Sequence, residues 1–253
     1  MERITARSNP LLQHMKKLGA DGAYRRETGL FLGDSPKLLE EAIRWGADIV
    51  EVVLSEGVAL PALPAVQRVV EIPRDVMASI SPMKTPQGAL FTCRMPAVSV
   101  PEVLTGKRYV VLDGVQDPGN VGTILRTLDA FDFDGLILLE GCADPWSVKT
   151  ARASMGAVFR RHIYTMSAEE CFDLLHRSDL PLYGTALRED TVDARSADLS
   201  RCAIAIGSEG RGLSGAVLEN CDKTLKIPMS ERCESLNAAV AAAVLLWESY
   251  RND

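Results

Sequence analysis

Residues 108–131 read RYVVLDGVQDPGNVGTILRTLDAF, and this stretch decides the fold class. The apolar run at 109–112 predicts a buried strand. A polar turn follows, and residues 119–131 predict a helix that Asn120 is placed to cap. A strand that ends in a turn and a helix is the repeating unit of α/β proteins, whose ligands gather at the carboxyl ends of the strands.

The same alternation continues towards the end of the chain. Further strands are predicted at 135–139, 162–166, 181–186, 202–206 and 224–227, and further helices at 148–154, 168–176 and 236–250. Continuous apolar strands between helices predict a mostly parallel sheet with helices on both faces. We therefore expect one α/β domain over residues 107–253.

A smaller α/β domain is predicted ahead of it, over residues 1–94. Its strands are predicted at 29–33, 49–54, 68–72 and 88–93, and its helices at 10–18, 36–45 and from Pro73 onward. Ser8 or Asn9 is placed to cap the first helix and Ser35 the second, each cap being followed by a proline in the first turn. Residues 95–106 carry two prolines without a clear period, which predicts a linker.

The bulk composition is that of a globular protein without a membrane or metal signature. Hydrophobic residues make up 47% of the 253 residues and charged residues 25%. No apolar run is long enough to cross a bilayer and no signal-peptide pattern opens the chain, so we expect a cytoplasmic protein. The cysteines are expected to be reduced thiols, because none has zinc-type spacing to another, and no metal is expected. They are Cys93, Cys142, Cys171, Cys202, Cys221 and Cys233.

Charge argues both for and against a nucleic-acid partner. The net charge of −6 lacks the basic footprint that such a partner usually leaves. Residues 1–28 nevertheless carry a local excess of basic side chains, and a second basic cluster lies at 152–161. The first cluster consists of Arg3, Arg7, Lys16, Lys17, Arg25 and Arg26. A solvated surface face explains each cluster equally well, so charge alone leaves RNA binding open.

Two further strand ends carry loops of unusual composition. Residues 204–214 read IAIGSEGRGLS. Their Gly-x-x-Gly-x-Gly spacing is not the dinucleotide-binding fingerprint and no phosphate-loop lysine follows, which argues against a nicotinamide-dependent dehydrogenase. Residues 227–240 read IPMSERCESLNAAV, and Ser235 is placed to cap the helix at 236–250.

That C-terminal helix is apolar on all sides, with the run AAVAAAVLLW at 238–247. Such a helix must be covered over most of its surface. Burial within one chain and contact with a second copy explain the pattern equally well, and composition leaves both open.

Taken together, the three loops closely resemble the three signature motifs of the SpoU family of RNA ribose 2′-O-methyltransferases, which belongs to the SPOUT class. The motifs are DGVQDPGNVGTILRT at 113–127, IGSEGRGLS at 206–214 and IPMSERCESLNAAVA at 227–241. The segment RASMGAVF at 152–159 is similar to the family's sequence between the first two motifs. The N-terminal part is similar to the ribosomal-protein-L30e-like substrate-binding domain often fused ahead of it, through ITARSNP at 4–10, YRR at 24–26 and FLG at 31–33.

The resemblance implies a methyl donor, a knotted chain and a dimer. Members bind S-adenosylmethionine in a bent conformation within the loops of a C-terminal trefoil knot, and they are homodimers with the site near the subunit interface. The cofactor-binding residues it implies here are Gly207, Ser208, Glu209, Gly210, Ile227, Met229, Ser235 and Leu236. The six basic residues of the first cluster would contact RNA phosphates.

The resemblance also implies a catalytic set, which is Asn120, Arg126, Glu209, Ser235 and Asn237. Arg126 would orient a phosphate and stabilise the developing alkoxide, because a guanidinium with a pKa above ~12 is a poor base. Ser235 and Asn237 would hydrogen-bond the ribose. Glu209 would fix its loop or the substrate, and Asn120 would set the first loop against the third.

The expected substrate is ribosomal RNA, because the fused N-terminal domain is typical of members that act on it. A transfer-RNA substrate stays open, and so does a non-catalytic RNA-binding or ribosome-assembly role on the same fold. Asp129 and Asp132 depart from the family, which often has alanine and glycine there. This departure concerns the packing of the helix that carries Arg126.

Overall fold

The computed structural model describes residues 1–58, 66, 68–97, 99–186, 188–189, 191–230, 232 and 235–251. These residues form twelve strands and nine α-helices. The strands are β1 (Glu2–Arg3), β2 (Leu30–Asp34), β3 (Ile49–Ser55), β4 (Arg68–Ile72), β5 (Ala89–Arg94), β6 (Arg108–Asp113), β7 (Gly135–Leu139), β8 (His162–Met166), β9 (Leu182–Thr185), β10 (Val192–Asp193), β11 (Cys202–Gly207) and β12 (Lys223–Lys226). The helices are α1 (Pro10–Ala20), α2 (Gly22–Thr28), α3 (Pro36–Arg44), α4 (Arg74–Ile80), α5 (Pro118–Ala130), α6 (Val148–Ala153), α7 (Ala168–Arg177), α8 (Gly215–Glu219) and α9 (Ala238–Tyr250).

The first of two compact units is built on a mixed five-stranded sheet. This unit comprises Met1–Ala97 and Asp144–Arg160. Its strands lie in the order β1-β4-β3-β5-β2, with β3 parallel to β4 and with β5 antiparallel to β2 and β3. Leu12 and Met15 from α1 and Met77 from α4 are buried in its apolar core.

Two predicted helix caps of this unit are confirmed. The Asn9 side chain accepts a hydrogen bond from the Leu11 amide at 3.0 Å, and Pro10 occupies the first turn of α1. Ser35 Oγ accepts one from the Leu38 amide at 3.1 Å at the start of α3. Both caps satisfy amides that the first turn of a helix leaves without a partner.

The segment Asp144–Arg160, which contains α6, is an integral part of the first unit. The Phe31 ring packs against Trp146 and Phe159, with ring centroids 5.1 and 6.1 Å apart. Arg160 Nη1 lies 2.7 Å from Glu41 Oε2 in α3. The first unit is therefore discontinuous in sequence. The predicted domain boundaries at residues 94 and 107 stay a prediction.

The second unit, Val98–Ala143 with Arg161–Asp253, is built on a seven-stranded sheet. Its strands lie in the order β10-β12-β9-β11-β6-β7-β8, and every neighbouring pair is parallel. Helices α7 and α8 cover one part of the core through Leu174 and Val217, whereas α5 and α9 pack against each other and contact β7 and β11. The predicted α/β fold with a mostly parallel sheet is confirmed, and the trefoil knot stays a prediction.

Two predicted helix caps of the second unit are wrong. The cap of α5 is Asp117, whose Oδ1 accepts from the Asn120 amide at 2.9 Å, and not Asn120 itself. The cap of α9 is Asn237, whose Oδ1 accepts from the amides of Ala239 and Val240, and not Ser235. In each case two cap-forming residues lie within three positions of each other, and propensity alone does not choose between them.

Among the described residues, no helix is long and apolar enough to span a membrane.

Candidate active site

The site is organised by the carboxyl ends of the two central strands, β6 and β11. Asp113 and Gly207, the last residues of these strands, are paired in register. Their loops therefore begin side by side at one edge of the sheet, where ligands of open α/β sheets bind. The Ser214 amide donates to Asp113 Oδ2 at 2.6 Å, which ties the end of the second loop to the start of the first.

The glycine spacing of the loop after β11 has a steric explanation. Ser208 and Gly212 exchange two backbone hydrogen bonds of 3.0 and 2.9 Å, so the loop folds back on itself. A side chain at Gly207 would place its Cβ only 2.1 Å from the backbone carbon of Gly212, and Gly212 has a φ of +68°. Both positions therefore require glycine.

Gly210 is different, because the loop itself does not require a glycine there. A Cβ at this position would meet nothing within 4 Å, and its φ lies outside the left-handed region. Gly210 lines the cavity described next. The absence of a side chain at Gly210 leaves space for a ligand.

A cavity of about 270 Å³ lies beneath this loop, entirely within the second unit. It is lined by all eight residues that the sequence predicted to bind the cofactor, namely Gly207, Ser208, Glu209, Gly210, Ile227, Met229, Ser235 and Leu236. Apolar side chains form much of the wall, among them Ile206 and Leu225. A narrow cleft with apolar walls and backbone polar groups at its edge fits a small organic cofactor.

Further lining residues, contributed by the neighbouring strands and by α9, were not predicted from the sequence. Thr185 and Ala186 at the end of β9, Lys226 at the end of β12, and Ala241 in α9 also line the cavity. The residues at the ends of β9 and β12 could have been predicted as lining residues, because all parallel strands of one sheet end at the same edge. β9 and β12 are adjacent to each other and β9 is adjacent to β11.

Three of the predicted catalytic residues form one hydrogen-bonded chain. Asn237 Nδ2 donates to Asn120 Oδ1 at 3.1 Å, and Asn120 Nδ2 donates to a carboxylate oxygen of Glu209. Asn237 opens α9, Asn120 lies in the first turn of α5, and Glu209 belongs to the loop after β11. The chain thus joins all three motifs.

Arg126 lies outside the cavity, on the surface of the second unit. It is an exposed residue of α5 and does not line the cavity. Among the described residues its side chain has neither a hydrogen bond nor an ion pair. Its guanidinium is available to a ligand outside the cavity.

The two acidic residues that depart from the family are paired with Arg161. Arg161 Nε lies 2.6 Å from Asp129 Oδ1, and Arg161 Nη2 lies 2.8 Å from Asp132 Oδ1. Arg161 Nη1 also donates to the Phe133 carbonyl at 3.0 Å. The C-terminal end of α5 is therefore held to the start of β8, and the acids have a compensating cation in the same unit.

The basic residues predicted to bind RNA divide into exposed and buried ones. Lys16, Lys17 and Arg26 are exposed on α1 and α2, and Lys17 Nζ lies 4.0 Å from the centroid of the Tyr24 ring. Arg3 and Arg7 are also exposed, and they form ion pairs with Glu56 and Asp75.

Arg25 departs from the prediction that it contacts RNA. Its side chain is only 6% exposed, and its Nη2 lies 2.6 Å from Asp144 Oδ2. Arg25 Nη1 also donates to the Leu18 carbonyl at 2.6 Å. Arg25 therefore holds α1 and the segment Asp144–Arg160 together within the first unit, because a buried guanidinium must be paired.

The described cysteines are buried or half-buried free thiols. Burial raises the pKa of the Cys171 and Cys202 thiols to about 12 and that of Cys221 to about 11. Cys93 and Cys142 also have raised pKa values because of burial, and Cys233 lies outside the described residues. Among the described residues no three His, Cys, Asp or Glu side chains form a group that could hold a metal.

Two protein-family models match the chain. The SpoU rRNA Methylase family matches residues 107–247, and the MRM3-like substrate binding domain matches residues 9–90. A curated relative, the 23S rRNA (guanosine(2553)-2′-O)-methyltransferase RlmP of Bacillus subtilis, is 31% identical over 98% of this chain and 98% of its own.

Solved structures agree with these matches. The AdoMet-bound rRNA methyltransferase from Sinorhizobium meliloti superposes with a TM-score of 0.86 at 28% identity, over 99% of this chain and 98% of its own. The SpoU methyltransferase AviRb from Streptomyces viridochromogenes, in complex with AdoMet, gives a TM-score of 0.87 at 25% identity, over 96% and 98% of the two chains.

The parallel sheet, the cavity at its carboxyl edge and these matches define the class as RNA methyltransferases. The chain belongs to the SpoU rRNA Methylase family.

Proposed function

We propose that this enzyme transfers a methyl group from S-adenosylmethionine to a ribose 2′-hydroxyl of ribosomal RNA. The observation that carries the proposal is the cavity, since all eight residues implied by the family motifs line it. The curated relative RlmP is named as a 23S ribosomal RNA 2′-O-methyltransferase and matches over nearly the whole chain. The substrate-binding domain matched at residues 9–90 fits a structured RNA.

The cavity residues fit the proposed donor. Gly210 leaves space where a side chain would project, and Ile206 and Leu225 offer apolar walls for the adenine and the methionine carbon chain. The sulfonium centre of S-adenosylmethionine supplies an electrophilic methyl group, and the carbon–sulfur electron pair stays on sulfur when the methyl group leaves. No metal is needed for such a donor.

The chain's own residues hold the acceptor in place. Asn237, Asn120 and Glu209 fix the three loops relative to one another, so that a ribose oxygen can approach the methyl group in line. Arg126 orients an RNA phosphate and stabilises negative charge developing on the 2′ oxygen. The oxygen forms the new bond to carbon, and its proton passes to water.

The functional form is a homodimer, which the exposed face of α9 supports. Ala242, Leu245 and Leu246 of this helix are buried, whereas Val244 is 40% and Trp247 51% exposed. A row of exposed apolar side chains on an otherwise buried helix is unfavourable in water and fits a covered interface. A second copy of the chain covers it, as the resemblance implies, and the ribosomal substrate implies a cytoplasmic enzyme.

The test is methyl transfer in vitro followed by analysis of the product nucleoside. The purified protein is incubated with tritiated S-adenosylmethionine and with 23S ribosomal RNA or transfer RNA, each transcribed without modifications. We expect label in the ribosomal RNA, released on digestion as a 2′-O-methylnucleoside. Label in a base, label only in transfer RNA, or no label in either RNA would overturn the proposal.

A further inference from the structure

A second cavity, of about 240 Å³, lies within the first unit, between the start of α3 and the turn after α6. Its lining includes Lys37, Leu38, Glu41, Gln87, Arg152 and Met155. Cationic, amide and apolar groups are thus gathered in a pocket that is part of neither the motif loops nor the methyl-donor cavity.

Arg152 is the most informative residue of this cavity. Its guanidinium forms no hydrogen bond with another described residue, although the side chain is only 27% exposed. Arg152 Nη1 is buried and lies 4.0 Å from Asp34 Oδ1. A guanidinium has five N–H donors in a rigid fork, and a partly buried one is normally hydrogen-bonded.

Asp34 is the carboxylate that lies next to the buried Nη1 of Arg152. Its side chain is 1% exposed, its Oδ2 accepts from Ser81 Oγ at 2.9 Å, and its Oδ1 has no hydrogen-bond partner. The buried carboxylate therefore fixes the position of Arg152 by charge and leaves the remaining donors of the fork for a ligand.

The backbone around the cavity is strained at two lining residues. Ser35 has a φ of +118° and Met155 a φ of +50°, and they are two of the four residues other than glycine with positive φ in the described chain. Met155 is also 43% exposed. Strained backbone of this kind clusters at ligand-binding sites, where the surrounding structure holds it in place.

The charges near the cavity decide what kind of ligand fits. Glu41 is paired with Arg160, and Lys37 Nζ lies 3.8 Å from Glu40 Oε2. With Asp34 beside Arg152, three carboxylates face three cations, so the charges balance. Such surroundings favour a neutral group with hydrogen-bond acceptors over a bare phosphate.

We propose that this cavity binds one unpaired base of the RNA substrate, with Met155 against one of its faces and the free donors of Arg152 on its edge. Sequence-specific RNA recognition uses unstacked bases held in this way. Two acceptors side by side, as guanine presents at O6 and N7, match an arginine fork. Gln87 can read the same edge, and Lys37 reaches the adjoining phosphate. The proposal rests on RNA being the substrate.

The test measures RNA affinity separately from methyl transfer. Filter binding compares the wild-type protein with Arg152→Lys, which keeps the charge opposite Asp34 but loses the fork, and with Met155→Gly, which relieves the strained φ and removes one wall. The probes are 23S ribosomal RNA transcribed with ordinary guanosine or with 7-deazaguanosine. Arg94→Gln is the matched control, because Arg94 is an exposed arginine of the same unit, paired with Asp48.

We expect Arg152→Lys and Met155→Gly each to weaken RNA binding about tenfold. Both variants should keep the wild-type Kd for S-adenosylmethionine. The melting temperature should be unchanged in Arg152→Lys and unchanged or higher in Met155→Gly. The 7-deazaguanosine RNA should bind the wild type more weakly, and Arg152→Lys should distinguish the two RNAs less, because lysine lacks the rigid fork. Wild-type affinity in both cavity variants would overturn the proposal. Because binding is measured directly, absent methyl transfer would count against the proposed function alone.

Discussion

The side-chain Nδ2 of Asn237 donates a hydrogen bond of 3.1 Å to Oδ1 of Asn120, and these two residues lie 117 positions apart in sequence. Asn237 also caps α9 through its own carbonyl oxygen, while Asn120 passes a hydrogen bond on to Glu209. One side chain therefore serves both the stability of a helix and the alignment of the motif loops.

The two roles of Asn237 can be separated by substitution. Asn237→Asp keeps the capping oxygen but loses the donor towards Asn120 and brings a carboxylate closer to Glu209. We expect its melting temperature to stay near that of the wild type, while kcat for methyl transfer falls at least about tenfold. Asn237→Ala should also lose about 1 kcal/mol in the free energy of unfolding, because the cap is gone. Wild-type kcat in Asn237→Asp would contradict the role of the hydrogen-bonded chain.

Arg126 should affect chemistry and leave donor binding alone. It does not line the cavity, so Arg126→Ala should retain the wild-type Kd for S-adenosylmethionine in calorimetry. Its kcat should fall about 100-fold or more, as when a donor to a developing oxyanion is removed. Arg126→Lys should recover only part of the rate, because lysine lacks the planar fork. Near-normal turnover in Arg126→Ala would remove Arg126 from the mechanism.

The exposed face of α9 predicts the oligomeric state. Val244→Glu places a charge on this face, and we expect light scattering to report a dimer for the wild type and a monomer for this variant. Val103→Glu is the control, because Val103 is a similarly exposed valine of the same unit outside α9, at 44% exposure. A dimer that survives Val244→Glu would show that another surface joins the two copies.

Asp34 should make stability depend on pH in a defined direction. Burial raises the pKa of Asp34 above its usual value of 3.8, although Ser81 and Arg152 lower it in part. The folded state thus holds the proton to higher pH than the unfolded chain, and the stabilisation present below pH 3.8 is lost as pH rises through the raised pKa.

Asp34→Asn removes this titration. We expect the stability difference between variant and wild type, measured by urea unfolding, to shift in favour of the variant as pH rises from 3.8 through the raised pKa of Asp34. Asp48→Asn, an exposed carboxylate of the same unit, should not reproduce this trend. The same pH profile for Asp34→Asn and the wild type would contradict the raised pKa.

The strands of the second sheet were predictable because apolar runs bounded by turns are a strong local signal. β7 and β8 match the predicted bounds at both ends, and β9 differs by one residue at each end. The short elements β1, β10 and α8 were missed, since two to five residues carry too little periodicity to stand out from a loop. The caps of α5 and α9 were misassigned for a related reason, because neighbouring polar residues are locally equivalent.

Other features depend on contacts distant in sequence. Nothing near Arg25 predicts its ion pair with Asp144, which lies 119 positions away, so a buried structural arginine was taken for an RNA contact. The assignment of Asp144–Arg160 to the first unit is equally non-local. The cavity residues were found only because whole motifs resembled a family; the glycine spacing alone did not identify a ligand.

The most direct measurement is the binding of S-adenosylmethionine to two glycine variants. Gly210 and Gly215 both accept a Cβ without any contact inside 4 Å, but only Gly210 lines the cavity. By calorimetry, we expect the wild type and Gly215→Ala to bind S-adenosylmethionine equally, and Gly210→Ala to bind about tenfold more weakly at an unchanged melting temperature, because its methyl group crowds the ligand. Equal affinity in all three proteins, or no binding to the wild type, would contradict a donor site formed by the three loops.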